Sequence, residues 1–287
     1  YTRSILFSSL VGLMLQVVCR TRANVHEAYR YANIAASIVA VYDKLKNLEL
    51  STSRALVRDM ACDARALIEG LGGAHAPWRS GYRVKYLDGN CLAATEHRLK
   101  RLRIEAAAPL PGKSLVIFEP QFGLCIDVIP CADGHAQERA LLDDVVATIE
   151  PDDIWVADRN FCVLHFLASI HRRGAFFVLR QHANLPLKPL ESMRFIGHSE
   201  TGDIFEQRAL LCFADGEVVT IRRVTVKLKQ PTRNGSANVV IVTNVPPEVA
   251  DAVQIAALYR QRWGIETAFQ KLEKHLKSEI NTLGYPK

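Results

Sequence analysis

The chain has 287 residues, 49% hydrophobic and 23% charged, which excludes a disordered polypeptide and leaves room for one large domain or two smaller ones. A formal net charge of +6 with a pI of about 9.0 favours a polyanionic partner such as nucleic acid without requiring one. The seven cysteines are scattered, with no C-x-x-C pair among them, which argues against a zinc ribbon or a disulfide framework and for reduced thiols in a cytoplasmic protein.

Arg3 and the apolar run from Ile5 to Val18 resemble the opening of a signal peptide, yet the run is too short to span a bilayer. No A-x-A-like site follows it, and Ser8, Ser9 and Gln16 interrupt it, so a buried helix is the expectation. Three-and-four spacing of apolar residues predicts helix across 25–48 (Ala28, Ala32, Ala35, Val39) and again across 55–71, with Ser51, Thr52 and Ser53 as candidate N-caps. Because the chain opens on Tyr1 and stops at Lys287 after a charged helical stretch, both ends are expected to be truncated.

Strands are predicted at 82–87, 114–119 and 122–129, the last two joined by a turn at Pro120–Gln121. Asp133 then reads as the cap of a helix reaching about Ile149, followed by a strand at 154–157, a helix at 161–172 and a strand at 175–179. A meander followed by alternating strands and helices describes an α/β domain with a mixed sheet. From Leu185 to Asn238 the sequence turns β-rich, with strands at 204–213 and 218–229 about the turn Ala214-Asp215-Gly216. A strand at 239–243 and a long helical region from about Val249 to Leu283 close the chain. The expected organisation is a helical region at 1–78, an α/β domain at 79–184 and 239–287, and a β-rich insertion at 185–238.

Asp88 follows one predicted strand and Asp158 another, positions from which a side chain projects off a sheet edge. Each alone is as readily a turn former or a helix cap. On the last helix, Tyr259, Arg262 and Glu266 fall on one face, joining a phenol, a guanidinium and a carboxylate. Taken alone, the Arg–Glu part is an ordinary surface pair. Three carboxylates from separate elements suffice to hold two hard divalent ions about 3.5–4 Å apart, the arrangement that activates water and stabilises a leaving oxygen.

Whole phrases then carry a resemblance: Leu87-Asp88-Gly89-Asn90, Thr95-Glu96-His97-Arg98-Leu99, Asp133-Gly134-His135 with Glu138-Arg139, Asp158-Arg159-Asn160-Phe161-Cys162, and Tyr259 through Glu266. Together they resemble the DDE transposases of bacterial insertion sequences, in the family named after insertion sequence four. The resemblance implies a ribonuclease-H-like fold with a β insertion before the final acid. It implies Asp88, Asp158 and Glu266 as a catalytic triad binding two Mg²⁺, or Mn²⁺ in their place. It further implies nicking of double-stranded DNA at transposon ends, transfer of the freed 3′ hydroxyl into target DNA, a homodimer in the DNA complex and a nucleoid-associated bacterial protein. Tyr259 and Arg262 match the signature residues that grip the terminal phosphate backbone, whereas Glu273 stands where that signature has Lys. The alternative is a catalytically inactive, DNA-binding transposase remnant.

The remaining candidates are weaker. Arg98, Lys100 and Arg101, in a run of five basic side chains from His97 to Arg103, suit a DNA backbone, with a solvated basic face as the alternative; so do Lys274 and Lys277 beyond Glu266. Glu138 with His135 reads as a structural hydrogen-bond cluster, Trp155 as core, and Trp263 as a helix anchor in preference to a wedge against an unpaired base. The absence of a phosphate-loop motif disfavours an ATP-driven recombinase, and no nucleophile elbow is present.

Overall fold

The computed structural model describes residues 5–91, 113–131, 137–232 and 235–271. Local chemistry accounts for the first four helices. The apolar opening becomes α1 (Phe7–Val18), which buries Leu10, Leu13 and Val17 against Val25, Ala28 and Val41 but leaves Leu15 51% exposed, so one face is buried and not the whole helix. The predicted helix at 25–48 is instead two, α2 (Val25–Arg30) and α3 (Ile38–Lys46). Capping decides this: the Asn24 side chain accepts from Glu27 N–H and the Ser37 side chain from Ala40 N–H, each starting a new helix. In α4 (Leu50–Gly70) the predicted caps Ser51, Thr52 and Ser53 lie inside the helix, whose N-cap is Glu49. Arg54 ties α4 to the sheet, donating to Asp127 at 2.8 Å and to Asp144 at 3.0 Å.

Among the described residues ten strands form one mixed sheet flanked by helices, as the ribonuclease-H-like expectation requires. They are β1 (Arg83–Cys91), β2 (Lys113–Glu119), β3 (Leu124–Pro130), β4 (Asp153–Ala157), β5 (Phe176–Arg180), β6 (Leu187–Pro189), β7 (Arg194–His198), β8 (Gly202–Cys212), β9 (Val218–Leu228) and β10 (Asn238–Thr243). Along the sheet the order is β3-β2-β1-β4-β5-β10-β9-β8-β6, with β7 paired to β8. β1, β2 and β3 form an antiparallel meander, while β1, β4 and β5 run parallel. Every residue of β4 is buried, because both faces of a parallel strand are covered. Leu87, Trp155, Phe166 and Phe177 fill the core on one face, and Tyr86, Val156, Val178 and Ile255 fill it on the other.

Between β3 and β4 the predicted helix shrinks to a 3₁₀ turn at Glu138–Leu141 and a short α5 (Leu142–Val146), with its expected cap Asp133 outside the described residues. The helix after β4, α6 (Leu164–Arg172), starts later than predicted because a 3₁₀ turn at Arg159–Phe161 intervenes. After β10, α7 (Ala252–Gln261) begins with a capping box between Asp251 and Gln254. Arg262 then separates it from α8 (Trp263–Lys271), so the predicted single helix is two. Bonds from Arg262 N–H to Tyr259 O and from Ile265 N–H to Arg262 O tighten the chain at that junction.

Candidate active site

Asp88 and Asp158 are neighbours because of strand register. The parallel β1/β4 ladder ends at the pair Leu87↔Ala157, and the next residue on each strand is one of the two aspartates. On its other side β1 continues, with Asp88 paired to Val116 and the ladder with β2 reaching Cys91↔Lys113. The prediction that the strand ends before Asp88 is therefore corrected: only its parallel partner stops there.

Each carboxylate is oriented by the chain that follows it. Asp88 Oδ1 accepts from Gly89 N–H at 3.0 Å, and Asp158 Oδ1 accepts from Asn160 N–H at 2.8 Å, making Asp158 the N-cap of the 3₁₀ turn. Capping and a chemical role are compatible, since a cap fixes one oxygen and thereby aims the other. Among the described residues no hydrogen bond is donated to Asp158 Oδ2.

The α7–α8 junction brings cationic and phenolic groups to this strand edge. Arg262 Nη1 donates to Asp88 Oδ2 at 2.8 Å, with Arg262 only 6% exposed. Tyr259 sits beside it, the guanidinium carbon lying 6.0 Å from the ring centroid. Burial pushes the Tyr259 phenol up, opposed by the positive charges of Arg262 and Arg180 and reinforced by the negative charge of Asp158. One group thus contains Asp88, Asp158, Tyr259 and Arg262, although they are as many as 174 positions apart.

Glu266 lies on α8, four residues past Arg262. Arg98, Lys100, Arg101, Lys274, Lys277 and the divergent Glu273 lie outside the described residues. Trp263, read as an anchor, is 59% exposed, so the indole faces out; Trp155 is fully buried, as expected of core. Among the described residues no group of three His, Cys, Asp or Glu side chains is gathered tightly enough to hold a metal ion alone. The two aspartates nonetheless supply the hard oxygen donors that Mg²⁺ or Mn²⁺ prefers, at adjacent strand positions and with fixed orientations.

Two features escaped the sequence reading. Arg180 ends β5, one position past the pair Leu179↔Ala157, and contributes positive charge at Tyr259. Its signal was positional, a charged residue ending a buried strand, much as Asp158 follows β4. The second is a contact between elements: Glu138 Oε2 accepts from Asn160 Nδ2 at 2.6 Å, and Arg139 Nε donates to Asn160 O at 2.6 Å and to Asn160 Oδ1 at 3.2 Å. The cluster expected around Glu138 is thus built on the Asp158 loop.

Comparison with known proteins identifies the family. The candidate transposase y4zB of Sinorhizobium fredii (strain NBRC 101917 / NGR234) is 27% identical to the chain over 169 residues, which is 58% of this chain and 45% of that protein. The chain therefore aligns with less than half the length of that relative. The profile of the Transposase DDE domain family matches residues 111–283, more than half of the chain, and on that match the chain belongs to the DDE transposase family.

Proposed function

We propose that the chain is the catalytic part of a transposase that cuts double-stranded DNA at transposon ends and joins the freed 3′ hydroxyl to target DNA. Asp88, Asp158 and Glu266 are assigned as the catalytic carboxylates. The observation that carries the reading is the placement of Asp88 and Asp158 side by side, one residue past the end of the parallel ladder. These acids would hold two divalent ions, Mg²⁺ or Mn²⁺, which supply Lewis-acid activation of water and stabilisation of the leaving oxygen. Asp158 presents carboxylate oxygens already oriented by Asn160 N–H, whereas on Asp88, oriented by Gly89 N–H, Arg262 must release Oδ2 to an ion as it turns to the phosphate. Arg262 and Tyr259 would grip the phosphate adjoining the cleaved bond, and Arg180 adds a cation to that rim. Trp263 offers an exposed indole for stacking on a base. Arg98, Lys100, Arg101, Lys274 and Lys277 would follow the DNA backbone further out.

The reading extends to the whole assembly. Residues 79–184 and 239–287 form the catalytic domain, 1–78 a helical region and 185–238 an insertion. Two copies act together on two transposon ends, in the bacterial cytoplasm at the nucleoid. A second reading, an inactive DNA-binding remnant, is favoured by one observation, the acidic Glu273 where the family signature has a basic residue.

A plasmid-nicking assay decides between them. The purified chain with Mg²⁺ or Mn²⁺ should nick DNA bearing the element's ends, and Asp88→Asn, Asp158→Asn and Glu266→Gln should each abolish nicking. Equal end binding by wild type and variants with no cutting by any of them would establish the remnant reading.

A further inference from the structure

We propose that Glu138 is a positioning residue of the carboxylate site, holding Asn160, and through it Asp158, while seated against Gly89 beside Asp88. This rests on the assignment of Asp88 and Asp158 as metal-holding carboxylates. Three contacts carry it. At Gly89, a Cβ would overlap the Glu138 carboxyl group, so the carboxylate lies directly on the β1 backbone one residue from Asp88, in space that only glycine leaves. The same carboxylate reaches the turn after β4, where its Oε2 accepts from Asn160 Nδ2 at 2.6 Å. At Asn160, Arg139 Nε donates to the carbonyl oxygen and, more distantly, to Oδ1.

The two ends of the Asn160 amide are thus held by neighbouring residues of opposite charge, the donor end by Glu138 and the acceptor end by Arg139. An amide fixed at both ends fixes its own main chain, and the Asn160 N–H is the group that orients Asp158 Oδ1. Glu138 comes from the turn before α5, so it links β1 at Gly89 to the turn after β4 from outside both. Groups that orient metal-holding side chains in this way typically alter metal affinity about 10- to 100-fold when removed. Gln in place of Glu138 still offers Asn160 Nδ2 an oxygen, whereas Ala does not, and this separates a positioning role from direct ligation.

The test is Mn²⁺ binding by the full chain, read by electron paramagnetic resonance of the free ion, beside the Mn²⁺ dependence of nicking. Glu138→Ala, Asn160→Ala and Gly89→Ala should each weaken Mn²⁺ binding about tenfold. In nicking, each should raise the half-saturating Mn²⁺ concentration by the same factor and leave the rate at saturating ion within about threefold. Glu138→Gln should stay within about twofold of wild type in both readouts. Thermal unfolding midpoints near wild type confirm that the variants are folded. Unchanged Mn²⁺ binding in Glu138→Ala, with binding lost in Asp158→Asn, would overturn the inference and leave the metal site standing. Equal losses in Glu138→Gln and Glu138→Ala would also overturn it, in favour of direct ligation. A wild-type chain that binds no Mn²⁺ would overturn the inference and the metal site together.

Discussion

In the half of the sheet made by β1, β4 and β5, the strands pair in parallel and charge gathers where the β1/β4 ladder stops; in the β8–β9 hairpin, the strands are long and antiparallel, and charge is enclosed within the ladder. Each half holds a carboxylate–guanidinium pair, Asp88 with Arg262 at 2.8 Å and Glu206 with Arg222 at 2.6 Å. Arg222 also donates to the carbonyls of Val245 and Ala250, so its pair stitches the hairpin to the segment before α7. The Asp88 pair has a second acid, Asp158, beside it instead. The same chemistry is a structural clasp inside a ladder and a candidate reaction centre at a ladder's end. Where one neighbouring strand stops, like charges can be brought together to await a cation.

That contrast can be broken by experiment. Asp158→Asn should lower nicking at least about a thousandfold with an almost unchanged unfolding midpoint, as expected for loss of an electrostatic group used in the reaction. A fall in stability without loss of rate would place Asp158 with the clasps. In the other half, Arg222→Leu leaves Glu206 with an uncompensated charge and should cost about 3 kcal/mol in urea unfolding, the low end for a buried pair because Glu206 retains some exposure. Nicking per folded molecule should survive that substitution. Arg262→Lys keeps the charge but loses the planar fork, and should slow nicking about 10- to 100-fold with little change in the urea midpoint. Smallest is Glu273→Lys, which should strengthen binding to element ends and steepen its salt dependence by about one unit of log–log slope. An unchanged slope would remove Glu273 from the DNA surface.

The element pattern was largely legible in the sequence, because period-two and period-3.6 hydrophobicity report burial directly. The fully buried β4 and the alternating hairpin strands show this. Boundaries were not, since they depend on caps and partners. Residues 31–37 break a helix because Ser37 caps the next one, and β1 outruns its predicted end because β2 pairs with it as far as Cys91. Tyr259 and Arg262 were expected on one face of one helix. They are grouped instead at a junction between two, where Arg262 is drawn onto Asp88.

What the amino-acid sequence determined by itself was the inventory: apolar periodicity that compels a mixed sheet with helices, and phrases that carry the family resemblance. Tertiary structure alone decided proximity. Parallel register sets Asp88 beside Asp158 across 70 positions, the junction after α7 delivers Arg262, and the empty space at Gly89 admits the carboxylate of Glu138. The physical reason is that hydrophobic patterning acts over a few residues, whereas a charged site is assembled from side chains whose neighbours are known only once the strands have paired.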